Sequence, residues 1–157
     1  MKTAILLTGG YRTFEICYKT LIKHILLPNE AKAFILLDGK KEEELRIREL
    51  LGEDYIGDIF QVSTSRDKNF QAICEYLAKT KPAIQANVFA KVGWSQSYVF
   101  NSGSILEYYQ YMKCFDMMVD YEKRNDIAFD IVLRSRLDIV VGQPSYQNIS
   151  CIDNTQV

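Results

Sequence analysis

The chain is poor in several residues that enzyme chemistry depends on. One histidine, His24, stands among 157 residues. A Ser-His-Asp triad would have to be built around it, and no other feature of the sequence supports one. His24 falls inside a helical pattern beside apolar residues, which reads as a packing or helix-surface position. The four cysteines, Cys17, Cys74, Cys114 and Cys151, are far apart. They form no C-x-x-C pair and no zinc-ligand spacing. Cys17, Cys74 and Cys114 fall on apolar positions of predicted helices, the pattern of buried free thiols in a reducing compartment. No stretch approaches the ~20 apolar residues of a membrane-spanning helix. The apolar run Ala4 to Leu7 meets Gly9-Gly10 too soon for a signal peptide. An excess of positive charge is also missing: 19 Lys and Arg against 20 Asp and Glu give a net charge of -1. That excludes a generally basic nucleic-acid or anionic-membrane binder and leaves local basic sites open. The expectation is a soluble, cytoplasmic protein with no membrane span and no nucleic-acid partner.

What is present is a globular composition, 48% hydrophobic and 25% charged. A chain of this size buries roughly 70% of the surface its unfolded form exposes, enough for one domain over residues 1–157. Lys2 to Thr8 reads as a buried strand bounded by Gly9-Gly10. A helix follows over about residues 13–27, with Phe14, Cys17, Leu21 and Ile25 at three- or four-residue spacing and Pro28 as its stop. Ala33 to Leu37 reads as a second buried strand ending at Asp38-Gly39. Glu42, Glu43 and Glu44 open a further helix as a solvated start, Leu50 and Leu51 face inward, and Gly52 caps it. Residues 56–62 read as a third strand. Asp67 caps a helix whose inner face is Phe70, Ile73, Cys74 and Leu77. Residues 81–100, with Trp94, have no period and read as a long loop. The pattern Ser104-x-x-Glu107 is a capping box opening the best helix, with Ile105, Tyr108, Met112, Phe115 and Val119 on one face. Phe129 to Leu133 reads as a fourth strand, directly followed by Arg134-Ser135-Arg136-Leu137-Asp138. This alternation predicts an α/β fold: a Rossmann-like, mostly parallel sheet with helices on both faces.

Such sheets bind ligands at the carboxyl ends of their strands. Three candidate sites fall there. In Thr8-Gly9-Gly10-Tyr11-Arg12, two glycines let the backbone approach a phosphate, Arg12 offers a forked cation, and Tyr11 is placed to stack on a base or sugar. The bland reading is a plain glycine turn, since the motif is neither G-x-G-x-x-G nor a Walker loop. Asp38 is placed to accept hydrogen bonds from a nucleobase or ribose, and equally reads as an Asp-Gly turn. Alternation puts Arg134, Arg136 and Asp138 on one side if the strand continues. Two guanidiniums and a carboxylate at a buried strand end are costly to desolvate unless paired, which points to a ligand site or to a structural ion pair.

These residues carry a family resemblance. Thr8-Gly9-Gly10-Tyr11-Arg12-Thr13-Phe14-Glu15 resembles the G-x-x-R-T-F opening of a glycosyltransferase-like family from large DNA viruses and microbes. The stretch Tyr108 to Phe115, the pair Tyr121-Glu122 and the R-x-R-x-D element at Arg134 to Asp138 resemble the same family. Residues 40–100 match only in general shape. The resemblance implies a GT-A-like nucleotide-diphospho-sugar transferase. It would move a sugar from its donor to an acceptor that is a glycan, a protein or a small molecule. Thr8, Gly9, Gly10, Tyr11 and Arg12 would hold the nucleotide, Asp38 would stand near the base, and Arg134 and Arg136 would bind the diphosphate. Asp138, the catalytic candidate, would stand where the family's metal- or sugar-binding acid stands, holding Mn²⁺ or Mg²⁺ or the donor sugar. The sequence has R-x-R-x-D where D-x-D is usual, and it ends at Val157, before such enzymes place their acceptor half. A non-catalytic nucleotide-binding or scaffold module and an α/β enzyme acting on phosphorylated small molecules are the rival expectations; oligomeric state stays open, with a homo-oligomer one way to cover an exposed sheet edge or an unfinished cleft.

Overall fold

The computed structural model describes residues 1–63, 67–73, 75, 76, 79 and 104–142. The chain divides into two compact units, one of Met1–Val62 with Tyr111–Val157, the other Ser63–Gln110.

The first unit is built on four strands: β1 (Thr3–Gly9), β2 (Lys32–Asp38), β3 (Ile56–Val62) and β4 (Ile131–Arg136). They form one parallel sheet in the order β3-β2-β1-β4. The continuous apolar runs of β1 and β2 have the composition of strands covered on both faces, and both faces are covered. Ile5, Leu7, Ala33, Ile35 and Leu37 point to one side. There they meet Phe14 and Leu21 of α1 (Phe14–Leu21), and Ile47 and Leu51 of α2 (Lys41–Leu51). Ala4, Leu6, Phe34 and Leu36 point to the other, against Tyr111, Cys114 and Met118 of α3 (Ser104–Asn125). The fold is therefore α/β and Rossmann-like. Between β2 and β3 the register shifts near Ala33/Phe34. Gly57 is needed there, because a Cβ would lie 2.5 Å from the Phe34 ring. Gly52 caps α2 as expected, at φ +83° with its N–H donating to the Arg48 carbonyl at 2.9 Å.

Several expectations are corrected. The helix over residues 13–27 is an α-helix only to Leu21, and Ile22–Leu26 is a π-helical turn. The wider turn inserts a residue, so Leu26 takes the core position that 3.6-residue spacing assigns to Ile25. The solvated helix start fails at Glu44, which is buried on the stripe it shares with Ile47 and Leu51. Lys41 Nζ at 2.7 Å and Arg48 Nε at 3.2 Å pair with its carboxylate. The inner face of α3 is Tyr111, Cys114 and Met118, whereas Tyr108, Met112 and Phe115 are exposed. The fourth strand is displaced, so that Arg134 to Arg136 lie within it. Phe129 is held outside the ladder: its ring packs on Phe34, centroids 5.6 Å apart, and its N–H donates to Glu122 Oε1 at 2.7 Å.

In the second unit, residues 68–73 are helical. Asp67 caps them as expected, its Oδ1 accepting the N–H groups of Asn69 at 2.8 Å and Phe70 at 3.0 Å. The Tyr109 hydroxyl donates to the same oxygen at 2.8 Å, and its ring lies 5.4 Å from that of Phe70. Phe70 and Ile73 are half-buried. Cys74, Leu77, the loop over 81–100 with Trp94, and Cys151 lie outside the described residues.

Candidate functional site

The strand order reverses between β1 and β4. From β1 the chain winds outward through β2 to β3, then β4 returns to the opposite side of β1. In open parallel sheets the crevice at such a reversal, beyond the carboxyl ends of the strands, is where ligands bind. Thr8 pairs with Arg136 across this boundary, and the Thr8 carbonyl accepts the Leu137 N–H at 3.1 Å. The turn after β1 and the turn after β4 are thereby brought side by side.

The turn after β1 is conformationally demanding. Gly9 sits at φ +119°, a region that side chains avoid. Gly10 follows, its Cβ direction 3.6 Å from the Asp38 carbonyl oxygen, so the end of β2 borders the glycine turn. Arg12 holds φ +32°, uncommon for a residue with a Cβ. Its side chain is 69% exposed, and its Nη1 lies 3.4 Å from Asp138 Oδ2. Arg136 reaches the same carboxylate in a two-pronged contact, Nε to Oδ1 and Nη2 to Oδ2, both at 2.9 Å. Asp138 is 16% exposed. The hydrogen bond from Arg136 holds its carboxyl below the usual carboxylate range, against the opposing push of burial, with the Arg12 charge adding to the lowering.

The remaining predicted residues are placed differently. Arg134 is exposed on the same face of β4 as Arg136, and its guanidinium lies over the Tyr111 ring, 4.6 Å from the centroid. The Tyr111 hydroxyl in turn donates to the Ser135 carbonyl at 3.0 Å. Tyr11 is turned toward α1: its ring lies 5.8 Å from Phe14 and its hydroxyl donates to Glu15 Oε1 at 2.7 Å. Burial, then the bond to Glu15, pushes the Tyr11 phenol up to about 12. Asp38 is half-buried at the end of β2. Gln61, which the sequence reading did not single out, donates its amide to the Gly39 carbonyl at 2.5 Å and ties the turn after β2 to the end of β3. No sequence signal separates it from an ordinary strand-end glutamine. The expected desolvation of two cations at a buried strand end does not occur. In the described sheet β4 is an outer strand, and the Arg136 side chain is half exposed.

Among the described residues the cluster joins two guanidiniums, Arg12 and Arg136, to one carboxylate, Asp138. A hard divalent cation takes several oxygen ligands. Here one acid is present and guanidiniums engage both its oxygens. Among the described residues no three His, Cys, Asp or Glu side chains converge to hold an ion. By themselves the described donors, one carboxylate already engaged by two guanidiniums, do not make the oxygen-rich set that Mn²⁺ or Mg²⁺ takes. Among the described residues no helix is long and apolar enough to cross a membrane. Comparison with family models, with curated proteins and with solved structures returns no match.

Proposed function

We propose that this protein binds a nucleoside diphosphate sugar at the β1–β4 crevice and transfers the sugar to an acceptor hydroxyl. The observation that carries the reading is the convergence of Arg12 and Arg136, from opposite sides of the strand-order reversal, on one point. In such a transfer the bond from the sugar's anomeric carbon to the diphosphate breaks, and the electron pair leaves with the nucleoside diphosphate. A new bond forms to the acceptor oxygen, and the proton of its hydroxyl passes to the departing diphosphate or to water. Guanidiniums aimed at the leaving diphosphate stabilise the charge that develops on it. The Gly9-Gly10 backbone admits the phosphates, and Asp38 accepts from the nucleoside. Arg12 and Arg136 supply the positive charge that offsets the leaving diphosphate.

A thermal-shift panel of nucleoside diphosphates and their sugars, each with Mn²⁺ or with chelator, tests this. A ligand at 100 times its dissociation constant stabilises by about 2.7 kcal/mol, a rise of several degrees in Tm. One sugar nucleotide is expected to give that rise equally in chelator, and the Arg136→Gln variant is expected to lose it. No rise with any member of the panel overturns the proposal. One observation favours a second reading, a non-catalytic diphosphate-binding module: among the described residues guanidiniums engage both oxygens of Asp138, which occupies the carboxylate that could otherwise serve as a base there. That reading predicts the same Tm rise with no release of nucleoside diphosphate over time.

A further inference from the structure

Asp138 makes two unequal attachments. The bond to Arg136 is short and two-pronged, both contacts at 2.9 Å, between residues two apart in sequence. The contact with Arg12 is a single one at 3.4 Å, between residues 126 apart, and it joins the turn after β1 to the turn after β4. One partner in that contact is a side chain 69% exposed. An exposed, singly bonded ion pair is weak and readily exchanged. The Arg12 backbone at φ +32° is also away from the relaxed regions for a non-glycine residue.

We infer that Asp138 is a latch on the anion site, an internal carboxylate that holds Arg12 until a diphosphate takes Arg12 from it. The inference rests on the diphosphate site proposed above and deepens it. Arg136 stays with Asp138 while Arg12 exchanges one anionic partner for another. Asp138 thereby lowers the affinity of the site by the strength of the contact that must be broken. This role is opposite to that of a metal ligand, whose loss weakens donor binding.

Calorimetric titration of the full chain with inorganic pyrophosphate, at low ionic strength and with chelator, decides the matter. Four proteins are compared: the unmodified chain, Asp138→Asn, Arg12→Gln and the double variant. Removing the latch is expected to tighten pyrophosphate binding about fivefold, the size of an exposed ion pair. With Arg12→Gln already in place, the Asp138→Asn change is expected to shift affinity less than about twofold, because no latch remains to open. Asp138→Ser, which also lacks the charge, must reproduce the gain, so a folding defect in one variant does not decide the result. An equal gain in both backgrounds overturns the latch, since the carboxylate then acts only through its long-range field. Weaker binding in Asp138→Asn and Asp138→Ser overturns it as well, since Asp138 then positions the arginines. Absence of pyrophosphate binding in the unmodified chain and in every variant overturns the diphosphate site, and the latch with it.

Discussion

Arg12 shows how one residue carries a structural penalty and a binding role together. A Cβ in the left-handed region crowds the following carbonyl, and only glycine escapes this. Arg12→Gly and Arg12→Ala both remove the guanidinium, but only the glycine variant relieves the backbone. Arg12→Gly is therefore expected to be more stable than Arg12→Ala by about 1 kcal/mol in urea unfolding, with both weakened in pyrophosphate binding. Equal stabilities would show that φ +32° carries no strain. Little of this was legible in the sequence. The two glycines announced a turn, and Gly9 uses its freedom at φ +119°. That the left-handed conformation extends to Arg12 is not written in the two glycines, since a residue with a Cβ ordinarily avoids it.

At the scale of elements, α3 is the instructive case. Its sequence carries two apolar stripes. Tyr108, Met112 and Phe115 form one; Tyr111, Cys114 and Met118 form the other. Both have helical spacing, and periodicity alone does not choose between them. The sheet chooses: the second stripe meets Ala4, Leu6, Phe34 and Leu36. Met118→Ala is accordingly expected to destabilise by about 2–4 kcal/mol, while Met112→Ala stays within about 0.5 kcal/mol of the unmodified chain. Chemical denaturation measures both, and a larger loss at Met112 would contradict the observed packing. The π turn at Ile22–Leu26 escaped the sequence for a related reason. Ile25 and Leu26 are equally apolar, and the extra residue in the turn becomes visible only when Leu26 is found buried. The free thiol of Cys114, by contrast, is buried as its apolar helical position predicts. Burial pushes it up to about 12, against the lowering by bonds to the Leu36 and Leu7 backbone, so it stays protonated and unreactive near neutral pH.

At the scale of the whole molecule, acid stability tests the ion-paired carboxylates together. Hydrogen bonding from Arg136 lowers the Asp138 carboxyl. At Glu44, burial pushes upward, and the bonds from Lys41 and Arg48 outweigh it, so that carboxyl is also lowered. A carboxyl lowered in the folded state stabilises fully above its unfolded value, about 4, and that contribution is lost as pH falls through the lower folded value. The Tm of the unmodified chain is expected to drop as pH falls below about 4, and the drop is expected to be smaller in Glu44→Gln, which has no proton to take up there. Identical acid limbs would contradict the pairing of Glu44. The sequence by itself determined the parallel α/β character, the places of β1, β2 and β3, the turn at Gly9-Gly10 and the caps at Gly52 and Asp67. Each of these is written in a contiguous run of residues, and local sterics and burial act on such runs directly. Only the tertiary structure decided that β4 lies beside β1, that the inner face of α3 begins at Tyr111, and that Arg12 and Arg136 share one carboxylate. These depend on which strand edge and which helix face pair across more than a hundred residues, and burial of the whole core, acting on no single segment, makes that choice.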